Sequence, residues 1–279
     1  MTTVGILHPG AMGAAIGAQL RDAGHDVLWA SEGRGPDTAR RAERAGLRDV
    51  GEPVSLARAA DVVLSVCPPH AARDVAALVA GHAAVYVDAN AVSPATAREV
   101  AATIAGAGGR AIDGGIVGPP PGADASASLL LSGPGADEVA ALFEGTRVRA
   151  RVVSADIGAA SAAKMAYAAW TKGSAALLLA VRALARAEGV EDALLAEWAI
   201  THPDLPAATE RAARGAAGKS WRWVGEMHEI AATFRDAGLP GGFHEAAAAV
   251  YERLAAEERT DLEAVLEALG CGTLRPGTR

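Results

Sequence analysis

A short apolar run, a glycine-rich turn and a helix-forming stretch follow one another at the start of the chain. Residues 4–7 (VGIL) lead into the turn His8-Pro9-Gly10-Ala11-Met12-Gly13, and an alanine-rich stretch continues from there. Comparable apolar runs recur at residues 25–30, 61–67, 84–89, 110–117 and 128–133, separated by helix-forming segments. Strands that alternate with helices of this size predict a mostly parallel sheet covered by helices on both faces.

The pattern changes after residue 154. From Gly158 to Gly189 no proline interrupts a stretch rich in alanine and leucine, which predicts one helix over about residues 158–188. Such a helix is about 45 Å long and is of the kind that crosses between domains. The remaining segments also have helical composition. We therefore predict an α/β, doubly wound Rossmann domain over residues 1–154 and an all-α substrate and dimerisation domain over residues 155–279.

The glycine turn has the composition of a G-x-G-x-x-G fingerprint with one change. Gly10 occupies the position that lets the backbone approach a pyrophosphate, and Gly13 the position where helix and strand pack closely. His8 replaces the first glycine, so we expect either a different turn or a side chain that reaches toward the cofactor. The predicted dinucleotide contacts are His8, Pro9, Gly10, Ala11, Met12 and Gly13.

The residues after the second strand bear on the choice between NAD and NADP. NAD-dependent proteins carry an acidic residue there for the ribose, whereas NADP-dependent ones add a cation for the 2′-phosphate. Ser31 occupies the expected position of the acid, and Arg34 is available to the phosphate. Glu32 becomes the ribose-binding acid if the register shifts by one residue. We predict NADP, with NAD as the alternative.

Several segments, taken in order, resemble the β-hydroxyacid dehydrogenase and 6-phosphogluconate dehydrogenase-like superfamily of NAD(P)-dependent oxidoreductases. They are VGILHPGAMG, DVVLSVCPPH, VDANAVSPATA, IDGGIVGPPPGA and IGAASAAKMAYAAW. The C-terminal part is similar to a branch that carries its own phosphogluconate-dehydrogenase-like C-terminal domain, and the superfamily includes imine reductases.

The resemblance implies functional roles for individual residues. The lysine of the interdomain helix corresponds to Lys164, a catalytic residue. Tyr167 occupies the position of a substrate-holding asparagine and is the second catalytic candidate, as a hydroxyl donor in place of the asparagine or as a proton donor. Further cofactor contacts are implied for Cys67, Pro68, Pro69 and Asn90. Substrate contacts are implied for Val117, Gly118, Pro119, Ala168 and Thr171. The chain lacks the paired asparagines and the Ser-Gly-Gly loop of the family, which argues against the usual hydroxy-acid substrates.

Lys164 also suits hydride-transfer chemistry when the family resemblance is set aside. Hydride delivered to a carbonyl leaves negative charge on oxygen, and a positioned ammonium can donate a hydrogen bond and then a proton. Helical spacing predicts one face that carries Lys164, Tyr167, Ala168, Thr171 and Ala175. We predict an enzyme that transfers a hydride between nicotinamide and a hydroxyl or carbonyl carbon. Imine reduction on the same scaffold and a non-catalytic dinucleotide-binding module are the alternatives.

Composition restricts the partners of the chain. The net charge of −7 argues against binding to nucleic acid, and no apolar run is long enough for a membrane span. The first residues lack the basic region and cleavage site of a secretory signal, so we expect a soluble cytoplasmic protein. Cys67 and Cys271 are expected to be inert thiols, and the histidines lack metal-ligand spacing, so no metal is predicted. The helical half is expected to form a homodimer.

Overall fold

The computed structural model describes residues 1–216, 218–256 and 261–270. The chain divides into two compact units, residues 1–165 and 166–279. The predicted domain boundary at residue 154 stays a prediction. Among the described residues, no helix combines the length and the apolar character needed to cross a membrane.

The first unit is built on an eight-stranded sheet. Its strands are β1 (Thr3–Leu7), β2 (Asp26–Trp29), β3 (Arg48–Asp49), β4 (Val62–Ser65), β5 (Val85–Asp88), β6 (Arg110–Val117), β7 (Ala127–Ser132) and β8 (Val148–Ser154). The order across the sheet is β3-β2-β1-β4-β5-β6-β7-β8, and only the β6–β7 pairing is antiparallel. The predicted mostly parallel α/β fold is confirmed.

Helices cover both faces of the sheet. Successive residues of a strand point to opposite faces, so apolar side chains on both faces need to be buried. Val4 and Ile6 of β1 belong to one buried cluster, and Leu7 belongs to the other. The helices of this unit are α1 (Ala11–Asp22), α2 (Pro36–Arg44), α3 (Pro53–Ala59), α4 (Ala72–Val79), α5 (Pro94–Gly106) and α6 (Ala136–Ala141). The strands near the middle of the sheet are therefore buried on both faces, which explains why β4 is a continuous apolar run.

The remaining helices follow in sequence. They are α7 (Ala159–Ala187), α8 (Glu191–Thr201), α9 (Leu205–Ala216), α10 (Ser220–Asp236), α11 (Gly242–Leu254) and α12 (Leu262–Gly270). The predicted long helix agrees with α7 to within a residue or two at each end, and the C-terminal region is helical as predicted. The first residues of α7 belong to the first unit and the rest to the second.

Candidate active site

Strands β1, β4, β5 and β6 run parallel, so the loops that follow them meet at one edge of the sheet. The chain leaves β1 toward β2 on one side and resumes at β4 on the other, which makes the β1/β4 junction a topological switch point. Ligands of open α/β sheets bind outside the carboxyl ends of the strands at such a point. This edge carries the glycine turn, the Cys67 loop, Asn90 and the loop that begins at Gly118.

The glycine turn has the space that a dinucleotide requires. A Cβ added at Gly10 would meet nothing within 4 Å, so the backbone there is open to a ligand. A Cβ at Gly13 would lie 2.7 Å from the carbonyl oxygen of His8, so glycine is needed for α1 to leave the strand this closely. No side chain among the described residues caps α1, and the first turn of α1 holds no acidic residue, so its N–H groups suit a pyrophosphate.

His8 adopts a backbone conformation that favours glycine. Its φ is 69°, and it is the one non-glycine residue with positive φ among the described residues. The side chain is half-buried, and its Nδ1 atom is buried without a hydrogen-bond partner. Burial, and secondarily the charge of Arg34, lowers the pKa of His8 to about 4. The imidazole is therefore neutral at pH 7.

Arg34 lies in the loop between β2 and α2, half-buried. Its backbone amide donates to the Ser31 carbonyl at 3.0 Å, which holds the loop close to the end of β2. It forms no salt bridge within the described part of the chain, whereas the exposed Arg40 pairs with Asp37. Ser31 and Glu32 are held through their backbone amides, which donate to Asp49 Oδ1 at 3.2 Å and to the Gly51 carbonyl at 3.0 Å.

Asn90 joins the loops after β4 and β5. Its Oδ1 accepts the N–H of Cys67 at 2.6 Å, and its Nδ2 donates to Ser65 Oγ at 3.2 Å. Both polar ends of this buried amide therefore bond to protein groups, and a cofactor contact of Asn90 stays a prediction. Burial raises the pKa of the Cys67 thiol to about 12, so the thiol is protonated at neutral pH. Pro68 and Pro69 follow half-buried, and Cys271 lies outside the described residues.

Asp113 fixes the start of α7, a role that the sequence analysis missed. Its Oδ2 accepts the N–H groups of Gly158 and Ser161 at 2.9 and 3.0 Å, and its Oδ1 accepts the Ser161 hydroxyl at 2.6 Å. Ser132 Oγ also donates to Oδ2, at 2.9 Å. The carboxylate thus accepts hydrogen bonds from the amides at the N-terminus of α7. Asp113 lies forty-five positions before Gly158 in the sequence. The signal in the sequence was an aspartate that directly follows the apolar pair Ala111-Ile112 within a predicted strand.

Lys164 lies one turn further along α7, against Gly115 of β6. A Cβ at residue 115 would come within 2.7 Å of Lys164 Cβ and 3.0 Å of the Ala160 carbonyl oxygen. Gly115 precedes the carboxyl end of β6 by two residues, so the half-buried Lys164 emerges near the same edge as the glycine turn. The first unit thus brings Lys164, Asn90 and the Cys67 loop to one edge of the sheet. β6 ends at Val117 at this edge, and Gly118, with a φ of 108°, and Pro119 follow it. Their contacts with a substrate stay predictions.

The predicted polar face of α7 is not uniformly exposed. Tyr167 is half exposed and Thr171 is exposed, with Thr171 Oγ1 donating to the Tyr167 carbonyl at 3.2 Å, but Ala168 is completely buried. Tyr167, Ala168 and Thr171 therefore lie where the buried side of α7 meets its exposed side. Contacts of Tyr167, Ala168 and Thr171 with a substrate stay predictions.

Comparison with known families gives two matches. Residues 3–144 match the NAD binding domain of 6-phosphogluconate dehydrogenase, and residues 185–254 match a domain of unknown function, DUF1932. Curated proteins give no match to the sequence.

Solved structures are similar over nearly the whole chain. A conserved hypothetical protein from Sinorhizobium meliloti 1021 is 26% identical with a TM-score of 0.72, covering 97% of this chain and 96% of that one. The 3-hydroxyisobutyrate dehydrogenase of Mycobacterium tuberculosis is 22% identical with a TM-score of 0.75, covering 96% and 99%. A reductive aminase from Aspergillus terreus in complex with NADPH is 22% identical with a TM-score of 0.57, covering 96% and 99%.

The fold and the glycine turn define a dinucleotide-binding domain. The chain belongs to the family of the NAD binding domain of 6-phosphogluconate dehydrogenase.

Proposed function

We propose that the chain is an NADP-dependent oxidoreductase that transfers a hydride between nicotinamide and a hydroxyl or carbonyl carbon of a small molecule. The observation that carries this proposal is the fixed position of Lys164 at the edge of the sheet that holds the glycine turn. Asp113 anchors the helix one turn before the lysine, and Gly115 lets the lysine stem lie directly on β6. A residue held in this way by two independent contacts is suited to work that depends on orientation.

The residues of the glycine turn would hold the cofactor through the amides of Ala11, Met12 and Gly13. The bound nicotinamide supplies or accepts the hydride. In the direction of reduction, the Lys164 ammonium donates a hydrogen bond to the carbonyl oxygen, stabilises the negative charge that develops there and then gives up a proton. In the direction of oxidation, the neutral amine takes the hydroxyl proton.

NADP rather than NAD is proposed because Arg34 offers a half-buried cation that no carboxylate neutralises within the described residues. The similar reductive aminase was solved with NADPH, which supports the same preference. NAD remains the alternative, through Glu32.

Imine reduction is the second candidate. It is favoured by the tyrosine and alanine at positions 167 and 168 and by the structural similarity to a reductive aminase. A cationic imine needs no carboxylate clamp, so these departures from the hydroxy-acid pattern are expected for it. The ammonium of Lys164 disfavours an iminium nearby, which is why it stands second. A non-catalytic module is the third candidate.

The direct experiment follows NADPH oxidation by absorbance over a panel of aldehydes, ketoacids and cyclic imines. Turnover of carbonyls supports the first candidate, turnover of imines alone supports the second, and tight NADPH binding without turnover supports the third. We expect Lys164→Ala to abolish turnover while the dissociation constant for NADPH stays nearly unchanged. The exposed Lys219 provides the matched control, because Lys219→Ala removes the same charge elsewhere. Full activity in Lys164→Ala would remove this lysine from the mechanism.

We also propose a homodimer formed through the helical region. Tyr167, Trp170, Leu177 and Leu184 of α7 are between 50% and 74% exposed. With Ser174 and Val181 they alternate spacings of three and four residues, which is the pattern of a helix that packs against another helix. An exposed apolar stripe of this kind marks an interaction surface.

A further inference from the structure

His8 combines two unfavourable features. A side chain at a φ of 69° is strained relative to glycine, which adopts this conformation freely. Within the described part of the chain its buried Nδ1 atom forms no hydrogen bond of ordinary geometry, although the Leu7 backbone interacts with the imidazole. Buried polar atoms are nearly always paired. Strain and an unsatisfied polar atom at one residue of a binding turn indicate a function for that side chain.

The sheet register shows which part of the site His8 faces. Ile6 of β1 pairs with Trp29 of β2, so the turn that begins at His8 and the loop that follows Trp29 leave neighbouring strands at the same edge of the sheet. The loop that carries Arg34 begins there, and the Arg34 amide donates to the Ser31 carbonyl at 3.0 Å. In dinucleotide-binding folds the end of the second strand is where the adenosine ribose is recognised. His8 therefore lies beside the ribose position.

Arg34 completes this position electrostatically. Burial, and after it the charge of Arg34, lowers the pKa of His8. A neutral imidazole can lie beside a guanidinium without charge repulsion and can still donate one N–H to an anion. A phosphate placed between them would receive a charge-assisted pair from the arginine and a further hydrogen bond from the histidine.

We propose that His8 and Arg34 together form the subsite for the 2′-phosphate of NADP, which makes His8 a specificity-determining residue at the first position of the glycine turn. This inference rests on the proposed function and assigns to His8 a task that a glycine in that position cannot perform.

The experiment measures dissociation constants for NADPH and NADH by fluorescence titration, and for 2′,5′-ADP and 5′-AMP by calorimetry. The last two ligands isolate the 2′-phosphate from the nicotinamide and need no turnover. The variants are His8→Gly, which fits the backbone conformation and is expected to fold, and Arg34→Gln. Arg40→Gln is the control, because it removes the same charge from a salt-bridged, exposed arginine.

We expect His8→Gly and Arg34→Gln each to weaken binding of NADPH and 2′,5′-ADP by about tenfold, the value of one hydrogen bond to a charged group. Binding of NADH and 5′-AMP should be unaffected, and Arg40→Gln should resemble the wild type. Thermal unfolding of His8→Gly should occur no lower than that of the wild type, because the substitution removes backbone strain.

The two proposals fail in different ways. If His8→Gly leaves the preference for NADPH over NADH unchanged, His8 is only a turn residue and the subsite assignment is overturned while the oxidoreductase proposal stands. If the wild type binds both dinucleotides equally, the subsite assignment is likewise overturned. If the wild type binds neither, both proposals are wrong.

Discussion

Gly115 and Lys164 touch at a distance that only glycine permits: a Cβ at position 115 would lie 2.7 Å from the Cβ of the lysine. Because Gly115 has no side chain, the aliphatic part of Lys164 has room to lie on β6. The same Cβ would lie 3.0 Å from the Ala160 carbonyl oxygen, so it would press on the helix backbone as well as on the lysine.

Gly115→Ala should therefore displace the first turns of α7. Overpacking of this kind costs about 1–3 kcal/mol in the free energy of unfolding. Turnover should fall because Lys164 moves, while affinity for the dinucleotide is retained because the glycine turn is untouched. Urea unfolding and steady-state kinetics measure the two effects. Gly106→Ala is the control, since a Cβ there meets nothing within 4 Å. Wild-type turnover in Gly115→Ala would show that the position of Lys164 is not critical.

The sequence predicts much of this site, but not the contacts that hold it together. The glycine turn and Lys164 are recognisable because their spacing along the chain is local. The hydrogen bonds from Gly158 and Ser161 to Asp113 join segments far apart in sequence, so no local sequence pattern predicts them. Strands β3 and β8 were missed for a related reason. β3 has two residues, and β8 carries two arginines at an edge of the sheet, so neither forms an apolar run.

Asp113 offers a second test of how Lys164 is positioned. Asp113→Ala leaves the buried N–H groups of Gly158 and Ser161 without their acceptor, which should cost about 3 kcal/mol in the free energy of unfolding. Turnover should fall further than the dinucleotide affinity. Asp113→Asn keeps an oxygen that can accept both amides and should recover most of the loss. If the alanine and asparagine variants behave alike, the carboxylate does not position α7. Chemical denaturation and kcat report on both variants.

The buried imidazole of His8 makes stability depend on pH. Its pKa is about 4 in the folded chain against an ordinary value of 6.5, so the folded state resists protonation. Between these values the unfolded chain binds a proton at residue 8 that the folded chain does not bind. The free energy of unfolding should therefore fall as the pH falls from 6.5 to about 4.

The comparison of wild type with His8→Asn isolates this contribution, because asparagine tolerates positive φ and does not titrate. Burial also lowers the pKa of His244, which adds a slope of the same sign to both proteins. The variant should lose less stability than the wild type over this interval in urea unfolding. Parallel curves for the two proteins would mean that His8 titrates normally.

The exposed stripe on α7 provides the test of the proposed dimer. Trp170 is 74% exposed and Leu177 is 50% exposed. Burial of these two apolar side chains against a second copy would be the main contribution of the stripe to the free energy of dimerisation. Leu177→Lys should place a charge in the interface and shift the mass measured by light scattering from dimer to monomer, with the circular dichroism spectrum unchanged. Leu78→Lys on α4 is the matched control, because Leu78 is similarly exposed but lies in the first unit. A wild-type protein of monomeric mass would contradict the dimer, and a dimeric Leu177→Lys variant would assign the interface to another surface.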